Sequence, residues 1–242
     1  MMNESMGWRG KIGLIVNSGQ IITEPLYNRV APAGVCFYAS RILVEGSVSQ
    51  SHQSMEKEAF RAGRELATAD VDCIAYCCTV SGIIQGVEGD KKFCRRMEEE
   101  TGIPTTSTLS AVLESLELLR IKKMVLISPY GEETHTAEEK FLQANGFHLV
   151  KSRSMEITSR KKRAATTPGE IFRFCRENWD ESADGLFISC MNFNALPCIG
   201  PLEKDLAKPV LSSHSATLWK VLHMIHVRES LTGHGRLLTE NT

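Results

Sequence analysis

Two stretches of the chain place a thiol at the end of a short apolar run. Val71 to Gly82 reads "VDCIAYCCTVSG" and Ala183 to Ala195 reads "ADGLFISCMNFNA"; in each, an Asp precedes the run and a Cys, Cys78 or Cys190, closes it. A single strand cysteine is ordinarily packing, because Cys behaves as a small hydrophobe. Two thiols facing one cleft would be another matter. One thiolate could attack carbon or remove a proton while the opposed thiol returned a proton on the other face. A thiol whose unperturbed pKa is about 8.5 needs help to ionise, and backbone N–H groups at a helix start can give it. The small or hydrogen-bonding residues directly after each Cys, in "CTVSG" and "CMNFN", suit such a nest of donors.

The remaining cysteines read differently. Cys36, Cys73, Cys94 and Cys175 fall within apolar strands or on helices and are expected in the core. Cys77 alternates with Cys78 and should point to the opposite face; Cys198, near a Pro and a Gly, is left open. "CIAYCC" spreads its thiols poorly around a tetrahedral metal, and none of the seven His stands at ligand spacing to it, so no metal site is expected. Glycine-rich dinucleotide and P-loop fingerprints are absent as well, and no cofactor is expected.

With 242 residues the chain can bury a full core, and a net charge of −1 gives no reason to expect nucleic acid or an anionic membrane surface as partner. "MMNESMGWRGKIGLIVNSG" does not read as a secretory signal. Eight cysteines without such a signal argue against a disulfide framework, and the expected location is cytoplasmic.

The elements that must position the two thiols alternate between strand-length apolar runs and amphipathic stretches. "KIGLIV", "DCIAYCC", "IPTTST", "KKMVLISPYG", "HLVKSRSMEI", "GLFISC" and "KPVLSS" read as strands. "SMEKEAFRAGRELATA", "KKFCRRMEEETG", "LSAVLESLELLR", "TAEEKFLQANG", "PGEIFRFCREN" and "ATLWKVLHMIHVRE" read as helices. Asp72 and Asp184 lie 112 positions apart, as do Cys78 and Cys190; Val16 and Ile127 are separated by 111 and Pro104 and Pro209 by 105. That near-constant offset implies a duplicated α/β half: two pseudo-symmetric lobes, each a parallel sheet wrapped by helices. The expected division is a first lobe over 1–117, to which 218–242 returns, and a second over 118–217. Ligands of parallel sheets bind beyond the carboxyl ends of the strands, so both thiols would face one interlobe cleft.

At these residues the chain resembles the aspartate/glutamate racemase superfamily, in the branch that holds maleate cis-trans isomerase and arylmalonate decarboxylase. The resemblance rests on the order of "GLIVNSGQIITEP", "AYCCTVSG", "TTSTLSAVLESLELL", "LISPYGEE", "FISCMNFNALPCIGPLE", "KPVLSSHSATLW" and "GHGRLL". It implies a cofactor-free enzyme acting on a small carboxylate, often as a homo-oligomer. Cys78 would add to or deprotonate the substrate, and Cys190 would act from the opposite face. A Cys at both positions favours isomerase or racemase over decarboxylase, which the resemblance implies would have glycine at position 78. Tyr130 would hydrogen-bond a substrate carboxylate. Gln20 and Arg160 stand where the family's carboxylate-binding Asn residues are expected, and Asn192 begins a changed segment after the second Cys.

Further pocket residues are expected at Thr79, Val80, Met191, Ser213 and His214. The basic run "SRKKRAATT", Ser159 to Thr167, reads either as a solvated loop or as a cationic lid. The expected function is a cofactor-independent two-cysteine isomerase of a small carboxylic acid, most like maleate isomerase; the alternatives are a racemase or decarboxylase of an α-substituted acid and a non-catalytic anion-binding relative.

Overall fold

A computed structural model describes residues 5–44 and 48–239. The first half runs β1 (Gly10–Asn17), α1 (Thr23–Val30), β2 (Val35–Ile42), α2 (Val48–Ala67), β3 (Cys73–Cys77), α3 (Thr79–Thr101), β4 (Thr105–Ser107) and α4 (Thr108–Leu118). The second runs β5 (Lys123–Ser128), α5 (Glu132–Ala144), β6 (His148–Ser154), α6 (Arg160–Ala165), α7 (Pro168–Glu177), β7 (Gly185–Ile188), α8 (Leu196–Leu206), β8 (Val210–Ser212) and α9 (Ser213–Met224), followed by the short α10 (Arg236–Thr239). The strands form two four-stranded sheets of the same order, β2-β1-β3-β4 and β6-β5-β7-β8, with every pairing parallel. This is the α/β architecture of two parallel sheets wrapped by helices.

The repeat extends to hydrogen bonds. Asp72 accepts from the Lys11 N–H at 2.7 Å, and its own N–H donates to the Lys11 carbonyl at 2.8 Å. Asp184 repeats the bracket on Lys123, at 2.8 Å and 2.7 Å. Ser107 caps α4 by accepting from Ser110 N–H, and Ser212 caps α9 by accepting from Ser215 N–H, each at 3.0 Å. The central strands β3 and β7 are buried along their whole length, as helices on both faces require. One apolar cluster runs through both sheets, from Ile12 and Leu14 to Met124 and Leu186. Helices α4 and α9 meet between the halves: Thr217 donates to Thr108 at 3.1 Å, and Lys220 pairs with Glu114.

Some expectations need correction. The run 159–167 contains a helix, α6, capped by Ser159, instead of a loop. Helix α2 begins at Val48, six residues before the Ser54 start that periodicity suggested. Helices α1 and α8 and strand β2 were not anticipated. Cys36 is half-buried on strand β2 rather than in the core, whereas Cys73, Cys94 and Cys175 are buried. Cys198 is buried on α8, with its thiol donating to the Ala195 carbonyl at 2.9 Å.

The Asp brackets generate a stability prediction. Backbone N–H donors, Lys123 foremost, hold the Asp184 carboxyl below the usual carboxylate range. Its contribution is therefore complete at neutral pH and is lost as pH falls through the lowered folded-state value. Asp184→Ala should lower stability by about 1–2 kcal/mol at neutral pH, and the deficit should shrink in acid. Urea unfolding of wild type and variant across pH measures both effects.

Candidate active site

Each thiol stands where a buried central strand gives way to a helix or turn. In the first half Val16 pairs with Cys77, so Asn17 and Cys78 leave the sheet side by side. Cys78 is extended, with φ −146° and ψ 100°, and is the residue from which α3 starts. In the second half Ile127 pairs with Ile188, and Cys190 follows two residues later. Cys190 carries φ +97°, a left-handed value that costs a side chain about 1–3 kcal/mol and must be held by its surroundings. One such contact is a hydrogen bond from the Cys190 N–H to the Ser213 hydroxyl at 3.1 Å. The Thr79 hydroxyl donates to the same oxygen at 3.1 Å, so Ser213 ties the two thiol-bearing turns together.

Both thiols line one cavity of about 490 Å³, counted with its mouth. Cys78 and Cys190 are 6% and 5% exposed, and burial is the leading cause raising both thiol pKa values above the ordinary one. Against that, the Asn17 side-chain amide donates to the Cys78 sulfur at 3.5 Å, and the backbone N–H groups of Ser81 and Val80 favour its thiolate. For Cys190 the opposing influences are the Arg163 charge first, then the Asn192 N–H at 3.3 Å, then Tyr130. Cys77, on the other face of β3, belongs to a separate packing cluster from Cys78, and burial pushes its thiol further up.

Of the residues expected at the site, Gln20, Thr79, Val80, Tyr130, Arg160, Met191 and Asn192 line the cavity with the two thiols. Two do not. Ser213 lies behind the wall as the tie just described, and His214 is fully buried with its Nε2 3.2 Å from Thr23 Oγ1. Burial lowers His214 to about 4, so it is neutral at physiological pH. Gln20 donates its side-chain amide to the same Thr23 hydroxyl, which in turn donates to the Met191 carbonyl at 3.0 Å. Asn192 spends its amide on backbone: it accepts from Ile21 N–H at 3.0 Å and donates to the Arg160 carbonyl at 3.2 Å. It fastens the loop after β1 to α6 at the cavity mouth.

Four lining residues escaped the sequence reading: Asn17, Gly19, Val44 and Arg163. Asn17 follows the apolar run "KIGLIV" and ends a central strand, β1, the position that meets a ligand in parallel sheets. Arg163 was submerged in the basic run. A helix over that run would have placed it on one face with Arg160, three residues earlier. Both arginines reach the wall, and no acidic residue is among the described lining residues.

Comparison with known proteins fits this geometry to a family. The arylmalonate decarboxylase family matches residues 12–238. The chain belongs to that family. It is 26% identical to the maleate isomerase of Geobacillus stearothermophilus over 95% of this chain and 97% of that one. It is 23% identical to the arylmalonate decarboxylase of Bordetella bronchiseptica, over 85% and 87%. In fold it is similar to a cysteine-to-serine variant of Nocardia farcinica maleate cis-trans isomerase that carries a covalently bound succinylcysteine intermediate. That likeness has a TM-score of 0.88 at 21% identity and covers 96% of this chain and 99% of the other.

Two expectations arise from the thiol environments. Asn17→Ala removes a donor that favours the Cys78 thiolate, so the pH midpoint for alkylation of Cys78 should move upward; site-resolved mass spectrometry of iodoacetamide labelling across pH reads it. At Cys190 backbone strain of about 1–3 kcal/mol exceeds the entropic cost of glycine, about 0.5–1 kcal/mol. Cys190→Gly should therefore be more stable than Cys190→Ala by about 1 kcal/mol, as measured by denaturant unfolding.

Proposed function

We propose that the protein is a cofactor-independent isomerase of a small unsaturated carboxylic acid of the maleate type, working through Cys78 and Cys190. The observation that carries this reading is the pair of buried thiols on one cavity whose charged lining residues are both arginines. Relatives named as maleate isomerases, and the succinylcysteine found in one structural neighbour, support it.

The chemistry balances without an outside reactant. The Cys78 sulfur pair forms an S–C bond to one alkene carbon. The displaced π pair moves to the neighbouring carbon, where the adjoining carboxylate delocalises it, and takes a proton from the Cys190 thiol. The former double bond is now single and rotates. Cys190 then removes that proton, the C–H pair restores the alkene, and the S–C pair returns to Cys78. The cis acid becomes trans, and both thiols regain their starting states.

The local structure supports this division of labour. Cys78 caps the first segment of α3, which breaks at Gly86 (φ +70°, ψ 172°), and the N–H groups at the start of that segment, Val80 and Ser81, favour a thiolate there. Cys190, once it has given up its proton, is left beside the Arg163 guanidinium and the Tyr130 side chain. Decarboxylation of a substituted malonate in the same cavity is the second reading, favoured by the family match and by the Bordetella relative.

Proton NMR of maleate and of an arylmalonate incubated with the protein in deuterated water separates the two. The expected result is fumarate from maleate, with the rate reduced by roughly 10²–10⁴-fold in Cys78→Ser and in Cys190→Ser. Loss of carbon dioxide from the arylmalonate with no fumarate from maleate would establish the second reading. Undiminished turnover in both serine variants would end the two-thiol mechanism.

A further inference from the structure

Arg163 is placed as no other cation of the cavity is. It lies on α6, lines the cavity, and donates through Nη2 to the Thr158 carbonyl at 2.9 Å. Its guanidinium carbon sits 5.6 Å from the centre of the Tyr130 ring. Its charge favours the Cys190 thiolate. Yet its Nε–H is buried and has no hydrogen-bond partner. A buried donor left unmatched costs free energy, more so when it belongs to a charged group. A carboxylate is the complementary acceptor, because a guanidinium presents planar N–H groups that match its two oxygens. The neighbouring Arg160 is committed elsewhere in part, donating through Nη1 to the Val44 carbonyl at 3.0 Å.

We propose that Arg163 is the specificity-determining residue on the Cys190 side of the cavity, receiving the substrate carboxylate whose α-carbon exchanges its proton with Cys190. The inference rests on the isomerase reading for that carbon's identity, but the anion subsite stands on Arg163 itself. A carboxylate there fills the open Nε–H. The same guanidinium faces the negative charge that develops on those oxygens when the π pair delocalises. The site accordingly selects acids with an ionised carboxylate at this end over the corresponding amides or esters.

The test compares an anionic and a neutral thiol reagent, so it needs no turnover. In a Cys78→Ser background, Cys190 alkylation by iodoacetate and by iodoacetamide is followed by mass spectrometry for Arg163, Arg163→Gln and Arg163→Lys, each checked for a cooperative unfolding transition. The iodoacetate-to-iodoacetamide rate ratio should fall by about tenfold or more in Arg163→Gln and by less in Arg163→Lys, which keeps the charge without the planar fork. A ratio that changes by less than about threefold in Arg163→Gln overturns the proposal, as does an equal collapse in the lysine variant. In the protein with both thiols, preference for maleate over maleamate should shrink in Arg163→Gln through a raised KM. Failure of maleate turnover with the alkylation ratios as expected would reject the isomerase reading and leave the anion subsite in place.

Discussion

The thiols of Cys78 and Cys190 are both withdrawn from water, and that withdrawal pushes each toward its neutral form. Desolvation disfavours a buried anion unless fixed dipoles or charges replace the lost water. Much of the surrounding structure follows from this constraint. The strands deliver each sulfur to a junction with exposed backbone N–H groups, Ser81 and Val80 on one side and Asn192 on the other. Ser213 holds the two junctions together through one hydroxyl. Carrying Cys190 at φ +97° is a local cost that the packed surroundings must bear.

Duplication supplies the frame but not the whole chemistry. The Asp brackets, the serine helix caps and the sheet orders repeat from half to half. The groups next to sulfur do not. Beside Cys78 stands the neutral amide of Asn17, and beside Cys190 stand the cation of Arg163 and the side chain of Tyr130. A symmetric frame with unequal donors gives two thiols of one chemical type different electrostatic settings. Under the proposed mechanism that difference suits one thiol to attack carbon and the other to carry the proton.

How much could be read from the chain depended on how each feature is encoded. The parallel strands were legible because burial on both faces leaves continuous apolar runs such as "CIAYC" and "GLFI". Cys78 and Cys190 emerged from the repeat, which is a property of spacing. The edge strand β2 was missed because its burial is mixed along "VCFYASRI", leaving neither a continuous run nor a clean alternation. His214 looked like a cleft residue from its place after the last strand, but the Thr23 contact that turns it inward joins residues 191 positions apart. Asn17 and Arg163 were hidden for another reason: a turn asparagine and one cation in a basic run are common in sequence, and only the fold points them at sulfur.

The identity of the proton carrier can be argued by elimination among the groups nearby. His214 is held neutral and engaged with Thr23, behind the wall. Glu138, raised by burial to about 8, lies beneath the second sheet's end with Ser189 donating to it, and it does not line the cavity. Among the described lining residues the titratable ones are Cys78, Cys190, Tyr130 and the two arginines. Burial drives Tyr130 well above its ordinary value, so it serves as a hydrogen-bond donor and does not ionise near neutrality. Arginine stays charged throughout. The thiols remain the groups able both to give and to take a proton. Under the proposed mechanism one of them carries the proton moved on carbon. If Cys78 is bonded to carbon, the proton falls to Cys190, where the Arg163 charge stabilises the thiolate that results.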